Sequence, residues 1–526
     1  MSSIPVIRLS KYNWTSDNNI FVTGFIWLNG NYTTGKAFSE LISQNTDSFE
    51  DLKRITHQWN GQFSFVVKKE TELWAGCGHT WSYPLFYRTF KGKLFISDEP
   101  RNLSFDESSE TIEPFSSLYF LNFGVTPSEY TLSKDVFQIQ PGELIRSSGS
   151  NVWNNSFLPF FREKYADNDP VQETEFYRFL MLVFEKYYNE IKDKKVLLPL
   201  TRGYDSRLLA CLLKEYGHRN VICITWGRPF NSELGTAEKV AGKLGFQHIF
   251  VDYSKIIAND FTSSNEFFAY VNYAGHWSSM PFLYEYFGLK ELKEKEIIGK
   301  DTVALPGHPG DFLRGSHLLK EMQESNPESL ISNILLKFGS SYSLNSHDKD
   351  TIKRYIGNNF FEKGEDFLWH KYELWDYKER QCKFIGNSTQ VFPFFEIDYL
   401  MPLFDADLIR FFNKVPFVQK VEQELYNNTL EKYFFKKFGV DFDLKQVHHS
   451  RQQLNVFKDK LLGTVPRFLK KYYYPLNDDI YYREITDVLR SSNEAFHFKH
   501  PVRPNAYNSY IIQWYLQYFL NSACNS

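Results

Sequence analysis

The sequence predicts an α/β protein in two parts: a strand-rich domain over residues 1–160, then a doubly wound parallel sheet with a helical C-terminal elaboration over 161–526. Three observations lead there. Residues 1 to about 150 are dense in β-branched and aromatic runs. From Val196 onward, short apolar strands alternate with helical patterns across short connections, which implies a parallel sheet. A chain of 526 residues is also too long for one ordinary core.

Taken in order, Phe21–Trp27 and Gly61–Val67 read as strands, and Lys68–Glu72 as a turn into a third strand at Leu73–Gly76. Ser39–His57 reads as one helical stretch, so that a sheet packs on helices. Residues 151–170, with Asn154, Asn155, Pro159 and Pro170, read as a linker. A helix follows from Gln172 to about Lys192, its apolar face carried by Phe176, Leu180, Val183, Phe184 and Tyr187. Val196–Leu200 is a strand, Leu208–Lys214 a helix and Val221–Trp226 a buried strand. Asn231 or Ser232 caps the next helix, which carries Ala237, Val240, Ala241 and Leu244 on one face and stops at Gly245. His248–Asp252 is the next strand. Residues 255–526 are mainly helical with aromatic faces, as in Phe267–Tyr273 and Tyr507–Phe519.

Composition narrows the function. A formal net charge of −3 does not indicate a broad nucleic-acid surface. No stretch reaches membrane-spanning length, and Met1-Ser2-Ser3-Ile4-Pro5 lacks a basic run followed by an apolar one. The five cysteines are scattered without a C-x-x-C pair, and Cys211 and Cys223 fall in apolar patterns that suit buried thiols. A soluble, cytoplasmic protein with neither nucleic-acid nor membrane partner is expected. A homodimer is left open.

The stretch Val196–Arg207 organises the chain. Its strand stops at Leu200-Thr201-Arg202-Gly203-Tyr204-Asp205-Ser206 and restarts as a helix, aiming backbone N–H groups and a positive helix end at one spot. That spot suits phosphate. Asp205 repels phosphate unless a divalent cation lies between them, the usual way Mg²⁺ is held by one or two carboxylates plus nucleotide oxygens. Ligands of doubly wound sheets sit beyond the carboxyl ends of the strands, which brings Trp226 and Gly227 onto the same rim.

Leu200–Ser206 resembles the pyrophosphate-binding loop of the asparagine synthetase family, Leu-Ser-Gly-Gly-x-Asp-Ser. Gly203, Asp205 and Ser206 match it. Thr201 replaces a serine, and Arg202 replaces a glycine, either straining the turn or placing a guanidinium on the phosphates. Asn60–Phe65, Tyr83–Tyr87, Phe95–Ser97 and Pro141–Glu143 follow the order of motifs in the family's glutaminase domain. Gly307–Gly315 resembles the family's second acid loop, and Met401–Asp405 with Val415-Pro416 its Val-Pro-Phe-Leu-Asp and Leu-Pro segments. The resemblance covers about residues 20 to 420. It implies an N-terminal Ntn-hydrolase-like αββα sandwich followed by an ATP-pyrophosphatase (PP-loop) synthetase domain. Glutaminases of this type attack with an N-terminal cysteine thiolate. This chain has Ser2 and no cysteine before Cys77, so the resemblance implies a degenerate glutaminase-like domain without glutamine hydrolysis. Relatives lacking that cysteine, such as β-lactam synthetases and lasso-peptide cyclases, take a substrate amine directly.

By the resemblance, Asp205 and Asp311 hold Mg²⁺, while Leu200, Thr201, Arg202, Gly203, Asp205, Ser206, Trp226, Gly227 and Gly307 bind ATP. His308 stands where relatives place a glutamate or tyrosine near the acceptor. A neutral imidazole suits proton removal from an amine, and a packed loop histidine is the rival reading. Asp398 stands where relatives carry a glutamate, and would assist that base. Lys420 follows the Leu-Pro counterpart and would neutralise pyrophosphate, against the alternative of a solvated surface lysine. Arg380 and Lys383 are further candidates. Asp405 reads as a helix cap. Gly275–Pro281 precedes the second acid loop and reads as pocket lining or as core. The family's later catalytic lysine is missing: the counterpart, Val447–Gln452, offers Arg451, which does not give up a proton as lysine does. His448 and His449 read as a surface pair.

These readings imply ATP-dependent amide-bond formation. A carboxylate attacks the α-phosphate of ATP, Mg²⁺ draws charge onto the departing pyrophosphate, and an amine or ammonia captures the acyl-adenylate. ATP and Mg²⁺ are the expected cofactors, and a small-molecule carboxylate and amine the partners. Arg202 and the missing lysine keep a second reading open, a non-catalytic nucleotide-binding or scaffold relative in a biosynthetic cluster. An adenylating sulfur-transfer enzyme is disfavoured, because no paired reactive cysteines occur.

Overall fold

The computed structural model describes residues 5–45, 47–105, 112–149, 151–158, 170–339, 344–361, 367–444, 481–492, 498 and 507–525. It is a mixed α/β structure built on three sheets. The N-terminal part supplies β1 (Val6–Arg8), β2 (Thr15–Asp17), β3 (Ile20–Leu28), β4 (Asn31–Thr34), β5 (Asn60–Lys68), β6 (Glu72–Cys77), β7 (Phe86–Phe90), β8 (Lys93–Ser97), β9 (Phe137–Gln138), β10 (Glu143–Ser148) and β11 (Asn151–Ser156). A seven-stranded antiparallel sheet runs β11-β10-β6-β5-β3-β2, with β4 also paired to β3, and a four-stranded sheet runs β1-β8-β7-β9.

Period-two alternation sends the larger sheet's side chains to two different cores. Val22, Ile26, Phe63, Phe65 and Trp74 pack on Phe38, Ile42, Phe49 and Leu52 of α1 (Gly35–Ser43) and α2 (Phe49–Thr56). Phe25, Val66, Ala75 and Ile145 face the opposite core, which they share with Phe86 and Ile96 of the smaller sheet. Two expectations change here. The helical stretch 39–57 is two helices, because the Ser48 side chain accepts the Asp51 amide and starts α2 afresh. The expected linker begins with a strand: Asn151–Ser156 pairs along β10, its polar side chains suiting a sheet edge. Pro159 and the expected boundary at 160 lie outside the described residues.

The third sheet is wholly parallel. It comprises β12 (Lys195–Pro199), β13 (Val221–Gly227), β14 (Gln247–Asp252), β15 (Thr302–Ala304) and β16 (Asp398–Tyr399), ordered β14-β13-β12-β15-β16. The chain winds outward one way from β12 and then the other way from β15. This is the doubly wound pattern, whose crevice opens where the direction reverses. The helices α4 (Glu173–Ile191), α5 (Tyr204–Glu215) and α6 (Leu234–Leu244) fall where the apolar periodicity puts them. Glu233, not Asn231 or Ser232, holds the α6 N-cap position and makes no side-chain cap bond; Asn231 accepts the Glu233 and Leu234 amides from the turn before it, and left-handed Gly245 ends the helix. Cys211 and Cys223 are buried free thiols, as are Cys77 and Cys382. Among the described residues no helix is long and apolar enough to cross a membrane.

Polar groups stitch the antiparallel sheet to the parallel one. Asp405 caps the helix Ala406–Asn413, as expected, and also accepts from Asn60 Nδ2 (3.0 Å) and the Tyr187 hydroxyl (2.9 Å). Gln62 Oε1 accepts the Met401 amide (3.1 Å), and His79 Nε2 lies 3.0 Å from the Phe404 carbonyl oxygen.

Candidate functional site

The site is built where β12 and β15 leave the sheet side by side, Val196 opposite Val303 and Leu197 opposite Ala304. Leu200 then anchors its loop to the next strand, donating its N–H to Ile224 O (2.8 Å) and accepting from the Thr225 hydroxyl (2.8 Å). Two loops follow, one entering α5 and one entering the short helix Gly310–Leu313. Glycine lets them touch. A Cβ on Gly310 would lie 2.2 Å from Asp205 Cγ, and one on Gly307 would lie 3.2 Å from the Ser206 amide nitrogen. The absent side chains seat the Asp205 carboxyl against the residue before Asp311 and keep the start of α5 uncovered. The two acids singled out from the sequence are thus brought to one mouth.

Arg314 was not singled out, yet it lies between them. Its guanidinium pairs with Asp311, also attracts Asp205, and passes over the Tyr204 ring at 5.9 Å. In sequence, an arginine three residues after an aspartate on a helix reads as an ordinary surface pair. Tyr426 was missed as well, since no motif marks it; its hydroxyl donates to Asp205 Oδ1 at 2.9 Å.

The electrostatics of the two acids differ. Burial pushes the Asp205 carboxyl up to about 7; the Asp311 charge adds to this, while Arg314 and the Tyr426 hydrogen bond oppose it. The Asp311 side chain is 57% exposed. Partial withdrawal from water raises it too, but Arg314, His317 and Arg380 together outweigh that and hold it below the ordinary range.

The phosphate loop ties itself together. The Thr201 N–H donates to Ser206 Oγ (3.1 Å), the Gly203 N–H to Thr201 Oγ1 (3.1 Å), and the Arg202 N–H to the Glu233 carboxylate (2.5 Å). Gly203 has φ −68°, and Arg202 is not among the residues with positive φ, so arginine does not strain this turn. Its Nε is enclosed without an acceptor among the described residues. Trp226 and Gly227 end the neighbouring strand on the same rim. The Trp226 ring packs edge-on against Tyr284 at 5.6 Å, and Gly227, with φ +124°, turns the chain outward.

His308 lies in the second loop, half-buried, with Nε2 3.5 Å from Ser388 Oγ. Burial lowers its imidazole to about 4 against the pull of Asp311, so it is neutral at physiological pH.

Three other candidates land elsewhere. Asp398 pairs with Val303 in the sheet register, and its 75% exposed side chain reaches Lys194 at 3.8 Å, just before β12. That is the amino edge of a parallel sheet whose phosphate loop lies at the carboxyl edge, so Asp398 does not reach His308's loop. Lys420 is not a surface lysine. Its side chain is 1% exposed and pairs with buried Glu373 at 2.6 Å, under the loop that carries Gly315. Lys383 pairs with Glu379 (2.8 Å) and donates to the carbonyl oxygens of Thr126 and Ser128, tethering an N-terminal loop.

Gly275–Met280 is buried core: a Cβ on Gly275 would meet the Tyr515 hydroxyl at 2.2 Å. Ser2, the stretch 447–452, and with it His448, His449 and Arg451, lie outside the described residues.

Among the described residues no three His, Cys, Asp or Glu side chains gather as a metal cage. The two acids do share one mouth, the Asp205 carboxyl seated against Gly310 and kept high by burial and the Asp311 charge. Hard oxygen donors in that number fit Mg²⁺ completed by phosphate and water oxygens.

No protein-family model matches the chain, and no curated protein does. Among solved structures it is similar to an NH3-dependent NAD synthetase from Campylobacter jejuni, at 14% identity over 37% of this chain and 80% of that one, with a TM-score of 0.19. It is similar to a U34-tRNA thiolase from Methanococcus maripaludis at 14% identity, over 45% of this chain and 84% of that one, with a TM-score of 0.22. An NMN synthetase from Francisella tularensis gives 11% identity over 43% and 93%, with a TM-score of 0.19. All three are remote likenesses.

Proposed function

We propose that the chain is an ATP-dependent, AMP-forming carbon–nitrogen ligase similar to the asparagine synthetase family, its glutaminase-like N-terminal domain (1–160) no longer hydrolysing glutamine. The observation that carries this is the seating of Asp205 on Gly310, beside Asp311 and Arg314, at the reversal point of a parallel sheet. Two sheets with α1 and α2 outside the larger one suit the αββα arrangement that the resemblance implies. Four buried, unpaired cysteines suit a cytoplasmic setting.

In this reading Asp205 and Asp311 hold Mg²⁺, which when bound neutralises charge on the departing pyrophosphate. The start of α5 takes phosphate oxygens on its first amides, and Gly307 keeps that end open. Arg314 adds a fixed positive charge at the same mouth. Lys420 neutralises Glu373 rather than pyrophosphate. His308 is neutral and accepts a proton. At about 4 it is too weak to deprotonate a free ammonium, and acts on nitrogen already acidified by attack on the acyl carbon.

A second reading, a nucleotide-binding relative without turnover, draws on Glu233. Its carboxylate already takes a loop amide where a phosphate would dock. ATP–pyrophosphate exchange across a panel of carboxylic acids separates the two. Exchange that depends on one acid and disappears in Asp205→Asn supports the ligase. Binding of ATP with no exchange for any acid removes it in favour of the second reading.

A further inference from the structure

Arg380 is a cation that pairs with no carboxylate among the described residues. It lies on a π-helical segment, Asp376–Ile385, a rare winding that is frequent at functional sites. The i→i+5 turn brings Gln381 under Asp376, where Nε2 donates to Oδ1 at 3.0 Å, and the other Asp376 oxygen is bonded to His317 Nδ1. Both oxygens of Asp376 are therefore directed at partners other than Arg380. Arg380 hydrogen-bonds no described residue; its Nε is enclosed without an acceptor, and its guanidinium lies over Phe338 (4.8 Å) and Phe384 (5.5 Å).

An arginine has five donors in a planar fork; this one is half-buried, and enclosing its Nε without an acceptor among the described residues is costly. Aromatic faces offset part of that cost and fix the plane of the fork, but they satisfy no N–H. Burial lowers Arg380, and the charges that oppose this are those of Asp376 and Asp311. The segment that carries Arg380 also packs on the acid loop, Tyr377 against Phe312 at 5.6 Å and Asp376 on His317, so Arg380 borders the same mouth as the two acids.

We propose that Arg380 is an oxyanion-binding residue that holds a carboxylate or phosphate group of the ligand bound beside Asp311. The proposal rests on the ligase reading for the identity of that ligand, not for its chemistry. A carboxylate of the acyl substrate and a phosphate of the nucleotide present the same paired oxygens to a guanidinium fork.

The test is thermal melting of the full chain with Mg·ATP, inorganic pyrophosphate or succinate added separately, in wild type, Arg380→Met and Arg380→Lys. The wild type should be stabilised by at least one anion. Arg380→Met should lose that stabilisation while melting, unliganded, no lower than wild type, because it removes a half-buried charge that no described acid pairs with. Arg380→Lys should regain only part, keeping the charge without the fork. Loss confined to succinate assigns the carboxylate; loss confined to ATP and pyrophosphate assigns the phosphate. Wild type stabilised by none of the three, or Arg380→Met protected as well as wild type, overturns the proposal, as does an unliganded Arg380→Met that melts lower with its protection intact. Melting needs no turnover, so a chain that binds anions yet exchanges no pyrophosphate sinks the ligase reading and leaves Arg380 standing.

Discussion

Two pairs of aspartates, Asp405 with Asp407 and Asp205 with Asp311, make opposite use of the same side chain. Asp405 is fully enclosed and fully answered: Asn60, Tyr187, the Asp407 amide and the Lys186 ammonium at 2.6 Å all address it. Asp407 is addressed by Asn60, Lys186 and Arg410. Burial would raise it, but Lys186 and Arg410 hold it below the ordinary range. Among the described residues Asp205 has one side-chain hydrogen bond, from Tyr426, and it sits near 7 with a second acid beside it. An acid whose lone pairs are all engaged is scaffold. One left under-answered next to a like charge is placed to receive a cation.

The largest effects should separate the pairs cleanly. Asp205→Asn keeps the shape, removes a charge the fold disfavours, and should cut ATP–pyrophosphate exchange by roughly 10²–10³-fold without lowering the melting temperature. Asp405→Ala takes the acceptor from the Tyr187 hydroxyl and the Asp407 amide and leaves Lys186 and Asn60 with Asp407 alone, and should cost about 3–5 kcal/mol in a urea melt. An Asp405→Ala protein of unchanged stability, or an Asp205→Asn protein that loses several kcal/mol, reverses the assignment of the two pairs.

A smaller effect tests the same contrast by pH. The native Asp205 carboxyl, near 7 against an ordinary 3.8, binds its proton more tightly folded than unfolded. Between those values the native state carries the extra proton, so this group's contribution falls as pH rises from about 4 to about 7 and is level above. Asp205→Asn lacks that slope, so its stability relative to wild type should grow from about pH 4 to about pH 8. Asp407 has the opposite sign: its native value is depressed, and its stabilisation is present above about 4 and lost as pH falls. Equal gaps between wild type and Asp205→Asn at both ends of the range would mean that burial does not hold this carboxyl high.

Glycine at 310 is what brings the first pair together, and Gly310→Ala probes it sterically. A Cβ 2.2 Å from Asp205 Cγ must push the carboxyl aside, at a cost of about 1–3 kcal/mol. Mg·ATP binding, followed by calorimetry, should weaken with the fold intact by circular dichroism; undiminished binding would show that the acids need not be seated this way.

Much of this was legible in the sequence, for physical reasons. The strand–loop–helix at Val196–Lys214 and the strands β13 to β15 announce themselves by period, by short connections and by Gly245. Asp205 and Asp311 could be paired through the resemblance, which puts each on an acid of the family's two loops. What the sequence hid was geometry between distant segments. Arg314 and Tyr426 gain their meaning only once two loops close on Gly307 and Gly310. Lys420 read as a counter-charge for pyrophosphate or as a solvated lysine because Glu373, its buried partner, is far away in the chain. Ser39–His57 looked continuous because a cap at Ser48 leaves the apolar period on either side undisturbed.

The smallest effect is expected at Asp398, and it sharpens the contrast by position rather than by hydrogen bonding. Parallel strands have two unlike edges: the carboxyl edge carries the loops that enter helices amide-first, and the amino edge carries the helix exits. Asp398 opens β16 opposite Val303, two positions before Leu305 leaves the sheet for the acid loop. Its nearest charge is Lys194 at 3.8 Å, itself 46% exposed. Such a pair contributes between about 0 and 1 kcal/mol, less at high salt. Asp398→Ala should therefore leave exchange unchanged and shift stability by no more than about 0.5 kcal/mol. A tenfold fall in exchange would mean that chemistry reaches the amino edge, and the division between a scaffold edge and a working edge would have to be abandoned.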